Sequence, residues 1–397
     1  MVPNAVRPLF QACADAKGRA LLVGGTVRDA LLGNPGKDLD IEVHRLDLDA
    51  LLGVLSRFGR VNEVGRSFGV LKLRVGGYDL DVSLPRRDSR AGVGHKGIRA
   101  DADPFMGETE AARRRDLTIN AIAYDPLADV FVDPFGGRDD LLRGVLRAVD
   151  PRTFGEDPLR ALRVAQFAAR FRFEVDPSLE ALCADMPLHE LPAERIRGEV
   201  EKLLTKGVEP SRGWALATRT HMWRKVVPEW DGPVPDGLDA LVHAPVPEPP
   251  RRLALLYAGA CGRLGEGGAT AVLDRLRVHK VANYPVRVQV LFLVGSRRAG
   301  VSRDADVRRL AEAGDVELLA YLRGDVTLRA RAEALGVARG PLPPLLTGKD
   351  LAAMGVAPGP EMGRLLARVR DAQLEGALAA PEEAREAVSR WMTEGAP

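Results

Sequence analysis

Two aspartates one residue apart, Asp38 and Asp40, follow a glycine pair, Gly24-Gly25, and an arginine, Arg28, within the segment Leu21–Val43, LLVGGTVRDALLGNPGKDLDIEV. Alternate residues of a strand point to one face, so the two carboxylates of the D-x-D strand face one point. Held that close, they repel each other unless a cation lies between them. A glycine turn that opens a helix offers backbone N–H groups to an anion. The cation that fits beside such a turn is Mg²⁺ carrying a nucleoside triphosphate. D-x-D alone is more often a solvated strand end. The glycine turn, Arg28 and the motifs further along give it a chemical meaning.

Asp81 is the third acidic candidate, near the end of the segment Tyr78–Ser83. Gly76-Gly77 separates this segment from Val70–Val75 and reads as a hairpin turn. In an α+β palm that strand lies beside the D-x-D strand, and a third carboxylate there completes a two-metal site. One ion activates a hydroxyl and the other neutralises the triphosphate. Asp79 shares the strand face of Asp81, so parity alone does not separate them. In Arg113–Ala121, RRRDLTINA, Arg114 and Arg115 offer bidentate forks to triphosphate oxygens. Asp116 has three readings: holding an arginine, bonding a ribose hydroxyl, or capping a helix. Thr118 and Asn120 alternate with apolar Leu117 and Ile119. Arg86–Pro104 is rich in glycine and charge and reads as a long mobile loop, in which His95 and Lys96 either touch phosphate or are simply solvated. Asp133–Leu141, DPFGGRDDL, reads as a turn that positions the next helix.

Glu156–Phe173, EDPLRALRVAQFAARFRF, has the periodicity of an amphipathic helix with Pro158 in its first turn. Glu156, Asp157, Arg160 and Arg163 cluster on one polar stripe. Asp157 and Arg160 form either an exposed ion pair, worth about 0–1 kcal/mol, or an acceptor beside a donor that engages the edge of a nucleobase.

The elements that must position these groups divide in two. Up to about residue 145 strands and helices alternate: Ala20–Val23, Leu39–Val43, Val70–Val75, Tyr78–Ser83 and Ala121–Tyr124 read as strands, and Asp47–Phe58 as a helix. From about 150 onward strand signals disappear. Proline-rich breaks at Pro233–Pro235, Val246–Pro250 and Gly340–Pro344 separate helical blocks, the last being Thr347–Met392. The fold class is α+β, a mixed-sheet palm followed by an all-helical arm.

Composition sets the bounds. The 397 residues suffice for two to four domains, with 46% hydrophobic and 28% charged residues and only 5% aromatics, as in a soluble, helix-rich protein. A net charge of +2 does not announce a nucleic-acid binder, so local clusters must. Cys13, Cys183 and Cys261 lie far apart, without metal-ligand spacing, and argue for a reducing compartment, no disulfide partner and no zinc site. No signal-like segment and no run of about 18 apolar residues occurs, so the expectation is a cytoplasmic protein with no membrane partner.

The motifs LVGGTVRDALLG…KDLDIEV, RRDLTINA, DPFGGRDDL, EDPLRALRVAQFAARF and ERIRGEVEKLL (Glu194–Leu204), in this order and spacing, resemble those of the class II tRNA nucleotidyltransferases: the CCA-adding enzymes and bacterial poly(A) polymerases of the polymerase β superfamily. The likeness covers residues 20–205 closely, and Thr347–Gly376 is similar to the family's C-terminal helices. It implies a head (1–145), a neck that reads the base (146–205), a body (206–335) and a tRNA-gripping tail (336–397). It implies two Mg²⁺ ions on Asp38, Asp40 and Asp81. Triphosphate and ribose would lie on Gly24, Gly25, Arg28, Arg114, Arg115, Asp116 and Asn120. The incoming C or A would be read by Asp157 and Arg160, with Glu156 orienting Arg160. Arg163, Arg195 and Arg197 would add support and phosphate contacts. The implied reaction is attack of the tRNA 3′-hydroxyl on the α-phosphate of CTP or ATP, releasing pyrophosphate.

Two departures from the family pattern narrow this. Leu253–Cys261, LALLYAGAC, lacks the His-Asp pair of a phosphohydrolase, so that activity is not expected. Val64–Val70, VGRSFGV, has Ser67 and Gly69 where a poly(A) polymerase carries basic residues, which favours CCA addition. Addition of A only or CC only, poly(A) synthesis, a small-molecule nucleotidyltransferase and a non-catalytic RNA binder are the alternatives. The long Arg86–Pro104 segment favours an enzyme able to add A. In the helical arm, Arg251, Arg252, Arg275, Arg277, Lys280, Arg364, Arg368 and Arg370 are scattered basic residues. Arg364 and Arg368, with Arg195 and Arg197 of the neck, are candidates for RNA phosphates.

Overall fold

A computed structural model of the chain describes residues 2–62, 70–90 and 98–393. They form two compact units, Met1–Val234 and Pro235–Pro397. The strands of the first unit are β1 Arg19–Val23, β2 Asp38–His44, β3 Val70–Val75, β4 Tyr78–Ser83, β5 Arg86–Arg90, β6 Ile98–Ala102, β7 Ala123–Asp125 and β8 Val130–Val132. Six of them make one sheet in the order β3-β4-β2-β1-β7-β8. The β2–β4 pair is parallel and the others are antiparallel. The register resolves the parity question: Asp40 lies beside Asp81 and Asp38 beside Asp79.

Strand β2 begins with the alternation expected of a half-buried strand: Asp38 and Asp40 exposed, Leu39 and Ile41 buried. From Glu42 to His44 every residue is buried, because other elements cover both faces there. Helices α1 Arg7–Asp15, α2 Gly25–Leu31 and α3 Leu48–Leu55 flank the sheet. Asp47 caps α3, its carboxylate accepting from the Ala50 N–H at 2.8 Å.

After α4 Glu108–Arg113 comes a 3₁₀ turn, Thr118–Asn120, where the sequence reading has the strand Ala121–Tyr124 beginning; that strand is β7, starting at Ala123. The DPFGGRDDL turn positions this 3₁₀ turn. Asp133 accepts from the N–H groups of Gly137 and Arg138, starting α5 Gly137–Arg143, and Asp140 of α5 accepts from the Thr118 hydroxyl at 2.7 Å. At Gly137 a Cβ would lie 2.1 Å from the Thr118 carbonyl oxygen, so the close approach of α5 requires glycine.

Short α6 Pro151–Phe154 leads to α7 Leu159–Phe171 and α8 Pro177–Asp185, then α9 Ala193–Lys206 and α10 Pro210–Arg219. Helix α7 packs against both α9 and α10. It is shorter than the predicted span Glu156–Phe173. Asp157 precedes it and accepts from the Leu159 N–H at 3.1 Å, and Arg172, in the left-handed region, ends it. Trp214, Trp223 and Trp230 close the core of this unit, with ring centroids 5.0–5.2 Å apart.

Two further expectations change. Arg86–Pro104 is no plain loop, since β5 and β6 pair antiparallel across it; His95 and Lys96 lie outside the described residues, as do Ser67 and Gly69. Strand signals do not end at 150 either, because Glu174–Val175 pairs in parallel with Val145–Leu146. Both are short pairings, and the first lies in a glycine- and charge-rich stretch whose composition reads as a loop.

The second unit is helical. Arg251, a scattered basic residue by sequence, is 8% exposed and bonds Asp315, Glu317 and Glu248. It is a core cross-link rather than a surface cation. Arg364 pairs with Glu361, and Arg368 stacks 4.1 Å from the Trp391 ring centroid. Cys13, Cys183 and Cys261 are buried. Among the described residues no helix is long and apolar enough to cross a membrane.

Gly137→Ala should push α5 away from the Thr118–Asn120 turn. The expected cost is about 2 kcal/mol, read as a lower denaturation midpoint by circular dichroism, together with weaker nucleoside triphosphate binding because Asn120 moves with the turn.

Candidate active site

The glycine pair sits where β1 turns into α2. Gly24 has φ +63°, and a Cβ there would lie 2.8 Å from Arg115 Nη1 and 3.8 Å from Asp40 Oδ2. Backbone, guanidinium and carboxylate approach so closely that only glycine fits. Thr26, the second residue of α2, fastens the D-x-D strand, its hydroxyl accepting from the Asp40 N–H at 2.8 Å.

From this turn a cleft of about 500 Å³ runs between the sheet and helices α7 and α9. Nine cationic side chains line it against three carboxylates, Asp40, Asp116 and Asp157. Gly24, Gly25, Arg28, Arg114, Arg115, Asn120, Arg160, Arg163 and Arg195 are all in its wall, so most residues singled out by sequence converge here. A second hollow of about 270 Å³ joins Asp40 and Asp81 with Arg114 and Arg115. Asp38 stands exposed at the start of β2, and neither it nor Arg197 or Glu156 lines either hollow. Arg197 lies 3.8 Å from Glu201 along α9.

Each guanidinium has its own hold. Glu42, 3% exposed, takes Arg114 at 3.0 Å and Arg115 at 3.6 Å. Burial by itself would raise the Glu42 carboxyl, but contact with His44 and the charges of Arg115 and Arg114 hold it down at about 2. Asp116 is a hub: its carboxylate accepts from the Leu117 N–H at 2.8 Å, Asn120 Nδ2 at 2.9 Å and Arg163 Nε at 2.7 Å. Burial would push its pKa up, yet the Arg163 charge and these bonds bring it below the usual range. Asn120 in turn accepts from Arg28. Arg28 is 4% exposed, pairs with Asp29 at 2.7 Å and lies over the rings of Phe167 and Phe171 at 5.1 and 4.9 Å. Burial lowers its pKa, and Asp29 opposes that fall.

The stripe of α7 differs from its sequence reading. Asp157 and Arg160 do not pair with each other. Arg195 of α9 donates to both oxygens of Asp157, at 3.2 and 2.8 Å. Arg160 donates to the carbonyls of Thr153 at 2.9 Å and Arg114 at 2.6 Å. The start of α7, braced by Arg195 of α9, thus presents an acceptor and a donor on the cleft wall.

The acidic side follows from strand register. Asp40 stands in the open cleft, yet desolvation raises its pKa; Asp81 and Asp38 add to the rise, and Arg115 and Arg28 oppose it. Asp81 is held on both oxygens by Lys72 Nζ, at 2.9 and 2.8 Å. Among the described residues no three carboxylate, imidazole or thiolate groups converge on one point. The donor set is nonetheless of the right kind: two carboxylates on neighbouring strands, facing one hollow, offer hard oxygens that suit Mg²⁺.

Sequence reasoning missed six cleft residues: Leu159, Gln166, Phe167, Arg170, Lys202 and Lys206. Their spacing was a usable signal, since Arg163, Phe167 and Arg170 share one face of α7, and Arg195, Lys202 and Lys206 one face of α9. Gln166 is 3% exposed, and its Nε2 has no hydrogen-bond partner.

Comparison with known proteins agrees with this architecture. The Poly A polymerase head domain profile matches residues 20–147. The multifunctional CCA protein of Xanthomonas campestris is 31% identical over 89% of this chain and 97% of its own length. That of Nitrosococcus oceani is 39% identical over 52% of this chain and 50% of its own length. Among solved structures, the CCA-adding enzyme of Bacillus stearothermophilus in complex with CTP has a similar fold, with a TM-score of 0.72 at 24% identity, covering 99% of both chains. The Thermotoga maritima CCA-adding enzyme complexed with tRNA aligns with a TM-score of 0.68 at 21% identity, over 98% of this chain and 95% of that one.

A carboxyl whose pKa is depressed in the folded state stabilises the fold above its unfolded pKa and loses that contribution as pH falls toward the folded value. For Glu42 the window runs from about 4.5 down to about 2, and the full contribution is about 3 kcal/mol. Glu42→Gln should therefore melt well below the parent at pH 7, and the gap should narrow as pH drops below about 4.5. A gap independent of pH in thermal melts would show that the Glu42 charge is not what holds Arg114 and Arg115.

Proposed function

Because the chain belongs to the family of the multifunctional CCA proteins, we propose that it is a tRNA nucleotidyltransferase that builds the CCA end from CTP and ATP without a nucleic-acid template. The observation that carries this reading is the single cleft in which the glycine turn, Asp40 of the D-x-D strand, the Arg114-Arg115 pair and the Asp157/Arg160 wall face one volume. In this reading residues 1–145 are the palm, 146–205 the base-reading neck, and 206–335 and 336–397 the body and tail that hold the tRNA.

The triphosphate lies over the Gly24-Gly25 turn, where a side chain would block its approach. Arg114 and Arg115 take its oxygens, and Glu42 behind them fixes their direction, so little reorganisation is needed when charge develops. Arg28 and Asn120 act mainly through the Asp116 hub, which sets the geometry of the ribose end. Asp40 and Asp81, with Asp38 beside them, would hold the two Mg²⁺ ions, which would supply activation of the attacking 3′-hydroxyl and neutralisation of triphosphate charge. The strand pairing sets the backbones of Asp40 and Asp81 one strand spacing apart, about 4.8 Å.

Base choice follows from the donor–acceptor pair on the wall. Cytosine and adenine both present an amino donor next to a ring-nitrogen acceptor, so Asp157 takes the amino group and Arg160 serves the ring nitrogen. Guanine and uracil present the reverse order and leave a buried acceptor and donor unpaired. Arg195 holds the Asp157 carboxylate and two carbonyls hold the Arg160 guanidinium, so the reading edge is rigid without RNA.

Incubation with tRNA ending at the discriminator base, at C or at CC, with Mg²⁺ and one labelled nucleotide at a time, tests the function. Incorporation of C, C and then A is expected. A alone on a CC end, or long A tails, would replace the CCA reading with a narrower or a polymerising one. Asp40→Ala should lower kcat at least about 10³-fold with tRNA binding retained. Arg160→Ala should lower discrimination against UTP and GTP by about 10- to 100-fold while CTP affinity falls less; unchanged selectivity would remove Arg160 from base reading.

A further inference from the structure

Three neighbouring strands line up a row of charges. β3 runs antiparallel to β4 and sets Lys72 opposite Asp81; β4 runs parallel to β2 and sets Asp81 opposite Asp40. At one end of the row the Lys72 ammonium donates to both oxygens of Asp81, at 2.9 and 2.8 Å. A bidentate ammonium occupies the bisector of the carboxylate, the direction from which a divalent ion binding both oxygens would approach. The two cations cannot share that position: their mutual repulsion exceeds what the singly charged ammonium gains from the carboxylate, so the ammonium is the one that gives way.

We infer that Lys72 is a built-in counter-ion of the acidic site: it holds Asp81 until a divalent cation displaces it, and so sets the metal concentration the site requires. This rests on the proposed reading of Asp81 as a metal ligand. The fields of Asp40 and Asp38 also reach the ammonium, adding to the bond from Asp81 that raises its pKa. Lys72 therefore offsets part of the repulsion among all three acids. The pair is exposed, 58% for Lys72 and 43% for Asp81, so in water it is weak enough to open readily. Such a counter-ion tunes affinity by a small factor rather than blocking the site.

The test is direct metal binding, without nucleotide or RNA. Mn²⁺ is titrated into the parent protein, Lys72→Met, Lys72→Arg and Asp81→Asn at one pH and ionic strength, with free Mn²⁺ followed by electron paramagnetic resonance. Lys72→Met should lower the Mn²⁺ dissociation constant about two- to fivefold, and Lys72→Arg, which keeps the charge, should stay near the parent. The Mg²⁺ concentration for half-maximal C incorporation should fall in parallel for Lys72→Met. Mn²⁺ affinity in Lys72→Met equal to or weaker than the parent's overturns the inference. If Asp81→Asn weakens Mn²⁺ binding while Lys72→Met matches the parent, only the counter-ion role fails. If Asp81→Asn binds as the parent does, Asp81 is no ligand, and the metal reading of the site falls with it.

Discussion

Most guanidinium groups that line the cleft are gripped from behind. Glu42 holds Arg114 and Arg115, Asp116 holds Arg163, Asp29 holds Arg28 and Arg170, and Asp157 holds Arg195. Nine cations in one cleft repel one another, and long side chains left free would spread into solvent. The carboxylates offset that repulsion and, through bonded geometry, convert a diffuse positive patch into donors of fixed direction. Preorganised charge of this kind stabilises an anion without further rearrangement, which is where a phosphoryl or nucleotidyl transfer gains most.

The same bonds join elements far apart in the chain. Arg163 to Asp116 and Arg170 to Asp29 tie α7 to the palm, and Arg160 reaches the carbonyl of Arg114. The Asp157/Arg160 wall and the glycine turn share these supports, so the two ends of the cleft keep one geometry. The second unit spends many of its charges differently. Arg251 is consumed in a buried network with Asp315, Glu317 and Glu248, and Arg370 pairs with Glu312. A surface that grips duplex RNA by shape and phosphates must use the arginines left outside such networks.

Much was legible before any coordinates. The Gly-Gly turn, D-x-D, the arginine pair and the amphipathic neck helix are local patterns, and each appears where its periodicity placed it, within two or three residues at the ends. The errors share a cause. Helix α7 starts late because Asp157 bonds the Leu159 N–H ahead of it, a cap that periodicity cannot see. The β5–β6 pair escaped because the glycine- and charge-rich run between the two segments reads as a loop, while backbone pairing joins the segments on either side of it. Lys202, Lys206, Gln166 and Arg170 were overlooked because which face of a helix meets a cleft depends on its packing partners.

The residue types and their spacing by themselves determined which groups the site offers: carboxylates of a kind that suits a divalent ion, a turn without side chains, and forked cations beside it. Those choices answer to charge and sterics within a few residues. Tertiary structure alone decided who partners whom. It set Asp81 rather than Asp79 beside Asp40, gave Asp157 to Arg195 instead of Arg160, and buried Glu42 beneath two arginines. Strand register and helix packing act between residues tens of positions apart, and an ion pair forms with whichever opposite charge the fold brings within reach.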